Sequence, residues 1–169
     1  MNDETFDFGY GPVPAHRHPN GGGWVADSAH VADTAYVGPE AQVFGAAEVF
    51  GNARVIDNAR VSDRARVYGN AIVSGDAQVT DFAEVTGSAW VFYRAQVSDR
   101  ARVFDRARVG GTAQVYGDAC VTGNAWVSGK VQVTGDARVS GTARVFGSAR
   151  LTGDTRLSGD AEVSGDLDT

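Results

Sequence analysis

The chain has 169 residues and a formal net charge of −6, which suggests one domain and argues against nucleic acid or a membrane surface as a charge-driven partner. Its single cysteine, Cys120, excludes an internal disulfide framework and favours a reducing, cytoplasmic setting. No stretch of the sequence approaches the apolar length that spans a bilayer.

Met1 to Tyr10 is acidic and aromatic, without the basic and apolar regions of a secretory signal. Residues 1–22 carry no repeat and include Gly9, Gly11, Pro12, Pro14 and Pro19, so they are expected to form an irregular segment or a cap on the first coil. His16-Arg17-His18-Pro19 offers a pair of ring nitrogens. Carboxylates or thiols at ligand spacing do not accompany them, so no metal is expected.

From residue 23 onward a six-residue period dominates. Alanine recurs at Ala29, Ala35, Ala41 and on to Ala161, with Val131, Thr155 and Leu167 as the exceptions. Two residues after each slot stands Val, from Val31 to Val163, replaced by Leu151, Leu157 and the terminal Thr169. The unit is Ala-x-Val-x-Gly-x, with Asp often standing for Gly. Residues two apart share one face of a strand, and Val favours the pleat. Gly two positions beyond Val permits the positive φ of a tight turn, and Asp tolerates it. Six residues are too few for a helix with its connection; they suit one flat side of a coil and one corner.

A three-sided coil takes 18 residues, and the outward residue between Ala and Val tests this. All five glutamines, Gln42, Gln78, Gln96, Gln114 and Gln132, fall in one of the three possible columns, an agreement expected by chance roughly once in eighty. A second column reads Glu48, Arg66, Glu84, Arg102, the alternation of charge that stacked strands prefer. The third reads Trp90, Arg108, Trp126, Arg144, where guanidinium over indole is expected. The predicted fold is all-β: a single-stranded parallel β-helix, three-sided, with about eight 18-residue coils over 23–169. At a strand spacing of about 4.8 Å the rod is roughly 40 Å long.

The Gly22-Gly23-Trp24-Val25 opening, followed by units such as Ala47-Glu48-Val49-Phe50-Gly51-Asn52, resembles hexapeptide-repeat proteins. More closely, it looks like a group of bacterial and phage or prophage proteins labelled as acyltransferases. That resemblance implies a left-handed β-helix, with a phage-encoded, virion-associated setting as one option. It also implies an acyltransferase-like enzyme with a site between subunits as the alternative function. Such enzymes use a histidine near a subunit interface, often beside a loop that interrupts a coil. Here no interruption follows Gly23, and His30 occupies an outward slot of the first coil. No catalytic residue and no cofactor are therefore assigned.

The leading expectation is a non-enzymatic structural or binding module that displays side-chain columns. Trp90, Arg108, Trp126 and Arg144 are its candidate binding residues, facing a protein or carbohydrate partner. Phe50, Tyr68 and Phe104 form a second aromatic column, read as mutual stacking or a partner stripe. Asp118, Asp136 and Asp154 stack at one corner and read as solvated turn residues. The C-terminal repeats end in an acidic run, Asp154, Asp160, Glu162, Asp166 and Asp168, without a recognisable cap. Exposed strand edges there predict a homo-oligomer, dimer or trimer, assisted by lateral packing of the Trp90–Arg108–Trp126 face.

Overall fold

In the computed structural model, which describes residues 4–165, the chain is all β and winds into a three-sided solenoid. The expectations attached to Asp166, Leu167, Asp168 and Thr169 lie outside the described residues. Three sheets of ten, eight and eight strands form the sides, and each strand of the repeats pairs with the one 18 residues away. The first sheet aligns Gln78 with Gln96, Gln96 with Gln114 and Gln114 with Gln132. The second aligns Glu48, Arg66, Glu84 and Arg102. The third aligns Trp90, Arg108, Trp126 and Arg144. The three columns predicted from the outward slots are thus the three faces.

Within each coil the physics is local. Ala and Val of each unit point inward and are fully buried from Ala35 to Ala149. The outward residue and the backbone carry the polarity. One side of a coil makes a short ladder to the next: Gln96 N–H donates to Ala113 O (2.9 Å), Ser98 N–H to Val115 O (3.0 Å) and Arg100 N–H to Gly117 O (2.9 Å). Burial loosens only toward the ends, at Ala29, Val31, Leu157 and Ala161.

Corners are β-turns closed by bonds such as Ala101 N–H to Ser98 O, 3.1 Å. The residue two past Val adopts positive φ, as at Gly51 (φ 72°). Asp57, Asp63, Asp81, Asp99 and Asp105 take the same conformation with φ between 57° and 62°. Of these, Asp57, Asp81, Asp99 and Asp105 do more than tolerate the turn. The ladder leaves the corner amide without a backbone acceptor, and the carboxylate one coil earlier accepts it: Asp57 from Gly75 N–H (2.9 Å), Asp99 from Gly117 N–H (2.9 Å), Asp105 from Gly123 N–H (3.2 Å). The Thr122 hydroxyl adds a 2.6 Å bond to Asp105. That hydroxyl, and then the Gly123 amide, hold the Asp105 carboxyl below its ordinary value. A carboxylate with a depressed folded-state pKa contributes stability that is complete above the unfolded value, about 3.9, and is lost as pH falls through the folded one. Melting temperature is therefore expected to fall on the acid side of pH ~4. Asp105→Asn, which keeps the turn but cannot titrate, should show a shallower fall in the same scan; parallel curves would remove Asp105 from the acid response.

Residues 4–22, expected as an irregular segment or a cap on the first coil, contain regular strands. Strand β1 (Thr5–Asp7) and strand β2 (Pro12–Arg17) form an antiparallel hairpin. Strand β2 continues antiparallel onto strand β3 (Trp24–Ala26), the first parallel strand of the ten-stranded, Gln-bearing sheet, to which the hairpin adds its other two strands. Gly9 and Gly11 donate their amides to Asp7 Oδ1 at 2.7 and 2.9 Å, which shapes the hairpin turn. A second small core, Phe8, Ala15 and Ala26 with Phe6, Trp24 and Phe44, holds the hairpin down. Arg60 reaches across to the Phe8 carbonyl and lies over the Phe44 ring at 5.0 Å. Prolines at β2 are tolerated because Pro12 and Pro14 sit on an edge hairpin, not inside the parallel ladder.

Candidate functional site

Each outer face has its own chemistry. On the first, the glutamine amides form a ladder, Gln132 Nε2 donating to Gln114 Oε1 (3.1 Å) and Gln114 Nε2 to Gln96 Oε1 (3.2 Å). On the second, Arg66 bridges Glu48 (3.2 Å) and Glu84 (3.3 Å), and Arg102 stands 3.8 Å from Glu84. Phe50 and Tyr68 stack nearly parallel at 4.8 Å, with Arg66 over both rings and Arg102 over Phe104. Toward their ends the pairing lapses: Gln42 Oε1 and Arg60 Nε on the first face are buried without a partner, and Arg138 and Arg156 on the second have no ion pair among the described residues.

The third face carries a groove. Arg106, Arg108, Asn124, Trp126, Thr142 and Arg144 line a groove of about 420 Å³. A neighbouring groove of about 330 Å³ is lined by Trp126, Ser128, Arg144, Val145, Phe146 and Glu162. Trp126 and Arg144 are common to both, so the indole forms the ridge between a cationic furrow and a more apolar one. Among the described residues, none of Arg106, Arg108 and Arg144 has an ion-pair partner within 4 Å; on the second face Arg66 and Arg102 do, and Arg138 and Arg156 do not.

Three of the four predicted binding residues, Arg108, Trp126 and Arg144, meet in this groove, and Trp90 does not line it. Trp90 donates its indole N–H to Ser74 Oγ (2.8 Å) and packs on Phe92 at 4.6 Å, next to Tyr93. The guanidinium-over-indole stacking expected along this column is not what forms: the arginines that lie over aromatic rings are Arg17, Arg54, Arg60, Arg64, Arg66 and Arg102. Backbone register brings Arg108 beside Trp126, but the side chains splay around a gap instead of filling it. Arg106, Asn124 and Thr142, one turn position before the alanine slot, also went unseen in the sequence. Their signal was there as a corner column 18 residues apart, adjacent to the outward one.

Two features outline the gap. Phe92, Gly110, Ser128 and Phe146 stand 18 apart along the edge of this face. The Phe92 ring occupies the space a side chain at Gly110 would need, since a Cβ there would lie 2.4 Å from it. Small Ser128 leaves the pit beside Trp126 open as far as Phe146.

The histidines lie at the other end of the rod. His16 Nδ1 pairs with Asp27 Oδ1 at 2.8 Å, both half-exposed. His18 is 3% exposed, with its Nδ1 against the Asn20 backbone. His30 is exposed beside Glu48 in register. Cys120 is half-buried between Arg102 and Arg138; burial pushes its thiol up, against the weaker downward pull of those arginines. Asp118, Asp136 and Asp154 sit at their corner, where the chain is only partly covered. Among the described residues, no group of three or more His, Cys, Asp or Glu side chains is placed to hold a metal ion.

The parallel coils, the three sheets and the six-residue unit define a β-solenoid repeat protein. Residues 65–81, 95–111 and 113–129 match a family described as YdcK Beta solenoid repeat, three stretches that together make up less than a third of the chain. No curated protein and no solved structure matches it.

Proposed function

We propose that this chain is a non-enzymatic binding rod, a solenoid that holds its side-chain columns rigid and offers the outer face of its third sheet to a ligand. The observation that carries this reading is the grouping of Arg106, Arg108 and Arg144 around Trp126, none of them in an ion pair within 4 Å among the described residues, in a chain of net charge −6. Arg106 and Arg108 stand on one coil and Arg144 two coils further on, with Trp126 between, and an anion bound there is attracted from both sides. An exposed indole with arginine is also the pairing enriched where partners dock. A pull-down from native extract tests it. Wild type is expected to retain material that Trp126→Ser loses and Arg102→Gln keeps. Equal retention by all three would sink the assignment of this face. A concentration-dependent dimer in sedimentation, abolished by Trp126→Ser, would assign the face to a second copy of the chain.

The acyltransferase-like alternative has one observation in its favour, the His16–Asp27 pair, since a carboxylate that orients a histidine is half of a base-catalysed transfer site. That pair is not among the residues lining the two grooves. Mass spectrometry after incubation with acyl-CoA and a panel of hydroxyl and amine acceptors is expected to show unmodified acceptors. Transfer that disappears in His16→Ala would replace the binding reading with the enzymatic one.

A further inference from the structure

We infer that the ligand of the third face is an acidic saccharide chain lying along the rod axis across the coils that carry Arg108, Trp126 and Arg144; this rests on the binding reading above. The groove runs over three coils, about 10 Å from the first to the third at the spacing of parallel strands, so it takes an extended ligand more readily than a compact one. Its centre is an indole that is 43% exposed. Unlike Trp90, Trp126 has no hydrogen bond or ring stack of its own among the described residues. An exposed, rigid aromatic face suits the C–H face of a pyranose ring. On either side along the axis stand Arg108 and Arg144, flanked by Arg106. A guanidinium fork matches a carboxylate or sulfate bidentately.

Polar neighbours decide between anionic ligands. Asn124 and Thr142 interleave with the arginines. The Thr142 hydroxyl has its one proton between two acceptors, Gly159 O (3.0 Å) and Asp160, which leaves its oxygen as an acceptor. Glu162 lines the adjoining furrow beside Arg144. Acceptors of this kind welcome sugar hydroxyls, and a carboxylate at the rim repels an unbroken run of phosphates. Nucleic-acid affinity grows with the number of phosphates neutralised, and three arginines on a chain of net charge −6 offer few. Hydroxyl-rich units with intermittent negative charge fit the whole set better than a nucleic-acid strand does. The pit over Ser128 gives room for a ring substituent against Phe146.

Calorimetric titration of the full chain with four probes tests this: a galacturonate hexasaccharide, a heparin hexasaccharide, neutral maltohexaose and oligothymidylate. At least one acidic saccharide is expected to bind, with maltohexaose and oligothymidylate weaker by about tenfold or more, a gap of ~1.4 kcal/mol. Arg108→Gln and Trp126→Ala should each weaken that binding by a similar factor, while Arg102→Gln, on another face, leaves it unchanged. All three residues are exposed, so unchanged melting curves report intact rods. Maltohexaose or oligothymidylate binding as tightly as the acidic probes overturns the ligand class and keeps the groove. Acidic binding indifferent to both groove variants overturns the location. Failure of both acidic probes also overturns the proposal. Loss of extract-derived material by Trp126→Ser in that case shows that the binding reading survives and only the saccharide class has failed.

Discussion

Val103→Asp is expected to break the rod in its middle. Val103 is fully buried and stacked between Val85 and Val121 in the second sheet. The substitution forfeits about 1.5–3 kcal/mol of apolar burial and places a carboxylate where the surrounding side chains are Ala and Val. The core offers it no cation or donor, so desolvation adds several kcal/mol more. A domain whose net stability is on the order of 5–15 kcal/mol does not absorb that at its centre. Because solenoid stability is close to a sum of repeats and their interfaces, loss of the central interface should uncouple the coils on either side. The expected result in urea, followed by circular dichroism and amide exchange, is an early broad transition in place of one cooperative step. Arg102→Gln is the control one residue away. Its guanidinium is 60% exposed and 3.8 Å from Glu84, and pairs of that kind are worth about 0–1 kcal/mol. Similar losses in the two variants would mean that the outward faces, not the Ala–Val core, hold the rod together.

Gly21→Ala is expected to release the N-terminal hairpin while leaving the central coils folded. Gly21 has φ +117°, a region that residues with a Cβ rarely adopt and that costs them of order 1–3 kcal/mol. A Cβ there would also stand 2.2 Å from the Val37 carbonyl oxygen. That oxygen belongs to the first coil's backbone and accepts the Gly23 amide at 3.0 Å, while Val37 N–H donates to Asn20 O at 3.0 Å. The loop from His18 to Gly23 is therefore sewn to the strand it would have to leave. Amide exchange reads the outcome region by region: protection should vanish across the hairpin and at Gly23 and Val37, yet persist at Tyr36, whose amide donates to Ala53 O in the next coil, and at Gln96 and Gln114. Loss of protection everywhere would show that the rod unfolds as one unit and that the hairpin is essential to all of it.

The particular residues show what spacing can and cannot say. Gln78, Gln96, Gln114 and Gln132 share an outward slot, and the pleat sends each to the same face, so their ladder was legible in the chain alone. The Glu48–Arg66–Glu84–Arg102 column was legible for the same reason, and its ion pairs form because adjacent strands put opposite charges within reach. Trp90 and Trp126 also share a slot, yet they behave differently. Ser74 and Phe92, which lie off that column, capture the first, with Gly110 making room for the Phe92 ring, while Ser128 leaves room beside the second. Residues 4–22 were illegible beyond their turn-rich composition, because their pairing with Trp24–Ala26 joins segments of different pattern.

By itself, then, the sequence determined the coil: its six-residue sides, its inward Ala and Val, its 18-residue turn and the make-up of each face. All of these follow from contacts between a residue and its equivalents one coil away, and a regular period records such contacts in full. Only the tertiary structure decided that residues 5–17 form an antiparallel hairpin, that corner aspartates cap the amides of the following coil, and that Arg106, Arg108, Trp126 and Arg144 surround a groove. Those outcomes depend on side-chain rotamers and on neighbours from adjacent columns, whose competition for the same space is settled in three dimensions and leaves no period in the chain.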